Sequence, residues 1–440
     1  MRTTKSLLPL DMMASFVLEL FLLFLAAPFI YLPERFPSSV ITLALLLAAS
    51  TWLWRRWRLH QWLERSPAEW PLFFLFGIML PVAVAVAPAP LRQLYAIPKA
   101  LILLWNFCLF WTIVTYSSQN AAIYRFCVIG FLLGGLVVAG IALLGTQWQN
   151  KLLGLNVLLD RFPRPLEKAF KGASDGFNPN QVAGTLLYML PLQIALLVYE
   201  IVYKRRWLIL SLSIAGFLVT GLVFTAAQSR GALVGLAASL VVMSLLPYRK
   251  GRWLLLALIA FLLMTLPFLP ITQWLANADK STTVQLTPGV TSFAQRQEIW
   301  TRALYGIQDF PFTGMGLGTF RQLVHQLYPT ILIPNDLDFA HAHNFFLQTA
   351  LDFGLPGLIA ILALYLLALG LAIPLVIKPP SLLQRVYALG LLGALLAQTI
   401  FSMMDAIALG SKTNFMFWYL FALVFSLTEF EANRAFLSSS

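Results

Sequence analysis

Two arginines, two histidines and the amides beside them have the types and spacing to work on an anionic substrate. His343 and Asn344 sit where a polar stretch enters an apolar run, and Gly354-x-x-Gly357 follows after nine intervening residues. Histidine titrates near neutral pH, so His343 can take a proton from a hydroxyl. Arg230 lies in the turn Gln228-Ser229-Arg230-Gly231, and Arg296 opens the segment RQEIW. Two guanidinium groups at a low-dielectric boundary can hold a diphosphate through paired, charge-assisted hydrogen bonds. Arginine keeps its charge there, whereas lysine can lose it. A hydroxyl activated by His343 would then displace the diphosphate, whose charge the arginines stabilise. The donor is already activated, so no external energy source is required.

Around these three residues, His341, Asn344, Asn180, Ser229 and Trp300 are candidates for support. Each has a plainer reading. Arg230 could snorkel from a helix end, and Arg296 could lie on a solvated helix face, stacked on Trp300 at i,i+4. His343 could cap the helix that follows it, and Asn178 and Asn180 could start one. His341 and His343 with Asp338 make a weak metal pattern, and no metal or other cofactor is expected. Gly314, Gly316 and Gly318 follow no strand and permit a flexible turn. Glu19 and Asp405 are charges inside apolar runs, where each needs a partner. For Glu19 that means the bundle interior; for Asp405 the candidates are Lys412 and Arg385. Cys108 and Cys127 fall in or beside apolar runs and read as packing residues.

The elements that must carry these groups are membrane spans. Of 440 residues, 59% are hydrophobic and only 11% charged, far less charged than a soluble domain. At about 17–25 apolar residues per crossing, twelve spans are expected, near 13–32, 40–54, 71–87, 99–115, 125–144, 182–202, 208–226, 232–246, 253–269, 355–377, 386–404 and 415–427. The first reads as an uncleaved helix and not as a signal peptide. The net charge of +12 sits mostly in short loops: Arg55-Arg56-x-Arg58, Lys204-Arg205-Arg206, Arg249-Lys250-x-Arg252, and Lys378 with Arg385. By the positive-inside rule these loops and both termini are cytoplasmic, and nucleic-acid binding is not expected. Two long connections, 145–181 and 270–353, then fall on the outer side, where long loops usually have a function. A helix is expected over 293–310 before Pro311, and Thr319 could cap a short helix to Tyr328.

Five segments together resemble the O-antigen ligase family, which includes Wzy-type polymerases and protein O-oligosaccharyltransferases. They are NPNQVAG at 178–184, QSRGALVG at 228–235, RQEIWTRAL at 296–304, FPFTGMGLGTF at 310–320 and HAHNFFLQTALDFGLPG at 341–357. The resemblance implies an all-α, polytopic, GT-C-like membrane protein: one membrane domain over 1–440, a ligase-like core over 178–377 and short helices in the large periplasmic loop. It implies a metal-independent glycosyltransferase of the bacterial inner membrane, with its active site on the periplasmic side. Such an enzyme moves a glycan from undecaprenyl diphosphate to lipid A-core or another glycan acceptor. Carried over by motif, Arg230 and Arg296 bind the diphosphate and His343 activates the acceptor hydroxyl. Asp352 departs from the family pattern, where glutamate is the more frequent acid. Arg161, Arg164 and Lys168 make the first outer loop basic, for docking either lipid headgroups or a phosphorylated acceptor. Two alternatives stand beside the ligase. One is a Wzy-type polymerase with the same donor. The other is a membrane transporter like those for bicarbonate, which would place its polar residues near the bilayer midplane.

Overall fold

A computed structural model of the chain describes residues 9–59, 66–146, 148, 166, 177–265, 293–333 and 339–438. The described residues are overwhelmingly helical, with no strand beyond an isolated bridge between Thr146 and Phe177. Helix is the form such apolar runs take in lipid, because each segment must satisfy its own backbone N–H and C=O groups. The first five helices are α1 (Pro9–Tyr31), α2 (Ser38–Leu59), α3 (Glu69–Val86), α4 (Ala89–Ser117) and α5 (Ala121–Gly145). Next come α6 (Pro179–Leu187) and α7 (Leu190–Lys204), bent by 44° at their junction, then α8 (Trp207–Ala226), α9 (Arg230–Leu245) and α10 (Arg249–Thr265). Two short helices follow, α11 (Phe293–Asp309) and α12 (Phe320–Leu327). The last three are α13 (Phe345–Ile377), α14 (Leu382–Ser402) and α15 (Phe415–Ser438).

Among the described residues, each of the twelve expected spans overlaps one of these helices or the α6–α7 pair; residues 266–269 of the ninth lie outside them. By length and apolar composition, eight helices among the described residues could cross a membrane, or nine if α6 and α7 form one broken span. The apolar stretches Arg230–Leu245 and Lys412–Leu427 are shorter. The chain is therefore an all-α, multi-pass membrane protein. Many large apolar side chains on its helices face outward, among them Phe21, Leu43, Leu53, Leu212, Leu218, Ile359 and Leu366. That is the surface lipid requires.

Helix α14 is central and packs on α7, α9, α13 and α15. Small residues set how close the helices come. A Cβ on Gly235 of α9 would stand 2.5 Å from the Ala397 carbonyl oxygen of α14. The charge in the first span is accounted for: Glu19 pairs with Arg55 of α2 at 2.6 Å, both fully buried. Tyr116 and Thr112 of α4 also donate to the Glu19 carboxylate.

The helix of the tenth span resumes at Leu355, where the sequence placed its start; a helical segment from Phe345 leads into it and breaks at Gly354 (φ 68°, ψ 177°), where the Leu355 amide bonds to Pro311 O at 2.7 Å. Two sequence expectations need correction. The glycine turn Gly314–Gly318 is not a loose connector. Met315 N donates to Leu351 O at 2.7 Å and Leu317 N to Ala83 O at 3.1 Å. Its glycines sit at φ +69°, +102° and +71°, a region other residues rarely adopt. Thr319 does not cap α12 through its side chain; its hydroxyl donates back to Met315 O and Gly316 O.

Candidate active site

The site is built where α6, α9 and α13 begin and α14 ends. At the far ends of these helices lie Lys204–Arg206, Arg249–Arg252, Lys378 and Arg385, so site and basic loops occupy opposite ends of the bundle.

Asn344, and not His343, caps α13. Its Oδ1 accepts from the amides of Phe346 (3.0 Å) and Leu347 (3.1 Å), and its Nδ2 donates to Met403 O at 3.2 Å. This leaves His343 available for another role, and its backbone lies in the left-handed region, at φ 49°. Such backbone strain costs roughly 1–3 kcal/mol and is held only by surrounding contacts. Here it turns the imidazole toward the residues just after α14, where Nδ1 lies 3.2 Å from Asp405 Oδ1. Asp405 pairs with neither Lys412 nor Arg385. Lys412 reaches Glu34 at 3.4 Å, and Arg385 donates to Val376 O at 3.0 Å.

His341 completes the cluster. Its Nδ1 accepts from the His343 amide at 3.2 Å, so the neutral ring carries its proton on Nε2. That atom is 3.8 Å from Asp405 Oδ1 and 3.0 Å from the Gln181 side-chain amide, whose oxygen can face it after an amide flip. Burial above all, and then the neighbouring His343, push the His341 pKa down to about 3. Burial acts to raise the Asp405 carboxyl, but His343, His341 and Arg296 outweigh it and hold the group well below the usual carboxylate range. Asp405 is thus an anion that accepts from the His343 Nδ1–H, and it leaves His343 Nε2 as the basic nitrogen.

The same three residues bring potential metal-ligand atoms within 4.8 Å of one another. Their hydrogen bonding fits a relay better. Ligation through these atoms would need both rings to move their protons and His341 to give up the His343 amide. Asp338, the carboxylate expected beside the histidines, lies outside the described residues.

Positive charge surrounds the relay. Arg296 on α11 is partly buried and acts on Asp405 and His341, and its buried Nε–H has no hydrogen-bond partner among the described residues. Trp300 does not stack on it; the indole meets Phe293 edge-on at 5.9 Å. Arg230 is exposed and opens α9 behind the buried Gln228 (φ 48°) and Ser229. The next residue, Gly231, lies against Met404, the neighbour of Asp405. A cation at a helix N-terminus opposes the helix dipole, and an anion bound there would relieve that conflict. Asn178 caps α6 by accepting from the Asn180 amide at 2.9 Å. From this helix it is Gln181 that reaches His341.

Sequence reasoning did not identify Gln181, Lys99 or the partner of Asp405. Lys99 of α4 comes so close to Gly318 that a Cβ there would stand 2.4 Å from its Nζ, and its charge acts on Asp352 and His341. The only advance signal was the cost of an unpaired charge near membrane depth. Arg161, Arg164 and Lys168 lie outside the described residues.

Among known proteins, a family model described as O-antigen ligase matches residues 215–362. No curated protein matches the chain. The matched segment, less than half of the chain, holds Arg230, Arg296 and the turn from His341 to Asn344, and over it the chain is similar to the O-antigen ligase family.

Proposed function

We propose that this protein is an O-antigen ligase, transferring a glycan from undecaprenyl diphosphate to a hydroxyl of lipid A-core at the periplasmic face of the inner membrane. The observation that carries the reading is the juxtaposition of a carboxylate-oriented imidazole, His343 on Asp405, with the buried Arg296 Nε–H, which has no hydrogen-bond partner among the described residues. In this reading His343 Nε2 takes the acceptor proton while the acceptor oxygen bonds to the anomeric carbon. The bond from that carbon to the diphosphate oxygen breaks, and the diphosphate leaves with the electron pair. Arg296 and Arg230 bind it. Asp405 stabilises the imidazolium until it loses its proton. General-base assistance of this kind is worth about 10²–10⁴-fold in rate. A single displacement inverts the anomeric configuration.

The orientation rests on the basic loops at the far end of the bundle, which positive-inside topology makes cytoplasmic. A Wzy-type polymerase would use the same groups with a lipid-linked glycan as acceptor. Transport is less well supported, because the ionisable residues of the site gather at helix ends and not at mid-span. Reconstitution of the purified protein with a polyprenyl-diphosphate glycan tests the reading, with lipid A-core in one tube and donor alone in another. A ligase yields glycosylated lipid A-core and loses it with His343→Ala. Longer lipid-linked chains from donor alone identify a polymerase. No product from the folded protein with its native glycan overturns both.

A further inference from the structure

The turn that carries His343 is tied to the rest of the molecule through two side chains the mechanism does not use. Gln348, one helical turn into α13, accepts from the Ala342 amide through Oε1 at 2.8 Å. Its Nε2 donates to Asp352 Oδ1 at 2.9 Å, and the same oxygen accepts from the Gly318 amide at 2.8 Å. Gln348 is 2% exposed and Asp352 is fully buried. A buried carboxylate is expensive, and neither residue is needed for helix formation. The roles are also fixed by donor and acceptor logic: the Ala342 N–H requires an acceptor, so the amide nitrogen of Gln348 must face Asp352, which must accept.

We infer that Gln348 and Asp352 are positioning residues that brace the His343 turn against the glycine turn, holding the imidazole in its reactive orientation. The brace continues past Gly318, because Leu317 N donates to Ala83 O. The catalytic turn is thereby referenced to the end of α3. The inference deepens the reading of His343 as the reacting base and rests on it for the kinetic consequence only.

The test uses a defect and its second-site repair in the full-length protein. Gln348→Glu can still accept from Ala342 but sets two buried carboxylates against each other. Adding Asp352→Asn supplies an amide that donates to the new carboxylate and accepts from Gly318. Two readouts apply: the rate at which diethylpyrocarbonate modifies His343, followed by peptide mass spectrometry, and the kcat and donor KM of transfer. In Gln348→Glu, His343 should be modified at least about fivefold faster as the turn opens locally. Its kcat should fall by about 100-fold, as misplaced catalytic groups do, with donor KM little changed. The double variant should return most of the way in both readouts. Gln348→Met, uncharged and of similar length, should show the same opening and covers the case in which Gln348→Glu does not fold. The brace is overturned if His343 is modified at the parental rate in the single variants, or if the double variant is no nearer the parent than Gln348→Glu. The modification readout needs no transfer, so a protein that moves no glycan yet shows this pattern would sink the ligase reading and leave the brace standing.

Discussion

Arg296 and His341 are the two residues whose surroundings make the sharpest claims. The Arg296 Nε–H is buried without a hydrogen-bond partner among the described residues, a costly state unless an anion is to fill it. Arg296→Lys keeps the charge but loses the planar fork. It should raise the donor KM and lower kcat/KM by at least about tenfold, as loss of a charge-assisted hydrogen bond does, and steady-state kinetics with varied donor checks it. His341 makes a claim about pH. Its pKa is pushed from 6.5 to about 3, so between these values the unfolded chain binds a proton that the folded protein refuses. Stability must therefore rise with pH across that window and be fully present above it. The depressed Asp405 carboxyl acts in the same direction at the acid end. His341→Asn, whose side-chain oxygen can still accept from the His343 amide, should flatten the slope of melting temperature against pH between about 4 and 6.5. An unchanged slope would contradict the neutral, buried assignment. Histidine and arginine were legible as candidates because their chemistry is rare in such an apolar chain. Their partners were not: Asp405 lies 62 positions from His343, and only packing of α13 on α14 joins them.

At the scale of elements, helix existence was legible and helix interruption was not. Runs of apolar residues are long enough to announce each span, but a break depends on what lies across it. Gly354 interrupts α13 because Phe312 presses on it, and a Cβ would stand 2.5 Å from the Phe312 carbonyl oxygen. The left-handed backbone alone penalises a side chain by about 1–2 kcal/mol, and the overlap adds to it. Gly354→Ala should therefore lower the melting temperature and displace the α11 end of the site, measurable by thermal unfolding in detergent. If the variant melts with the parent, the break is not a constraint. The glycine turn was misjudged for a related reason. Its residues suggest freedom, yet the backbone bonds to Ala83 and Leu351 and the Asp352 carboxylate fix it.

For the molecule as a whole, membrane residence decides which polar groups persist. Glu19 and Arg55 form a buried pair far in sequence from the site, and they tie α1 and α2 to α4 through Thr112 and Tyr116. Arg55→Met strands a buried carboxylate and should destabilise the protein by about 3–5 kcal/mol. Arg55→Met combined with Glu19→Met should be less damaging than Arg55→Met alone, read as the fraction remaining monodisperse after heating. The reverse order would show that the pair does not stabilise the front of the bundle. The family match, at 215–362, includes neither Lys99 nor Asp405, so a reader of the matched segment alone holds an incomplete site.

The placement of Asp405 beyond α14 also bears on how the protein is made. A chain emerging from the ribosome carries His343 into the membrane well before the carboxylate that orients it exists. Until α14 has inserted beside α13, the imidazole has no Asp405 to set its tautomer. In the proposed mechanism a chain that ends before Asp405 would thus lack the oriented base, and competence would arrive only once α14 has inserted.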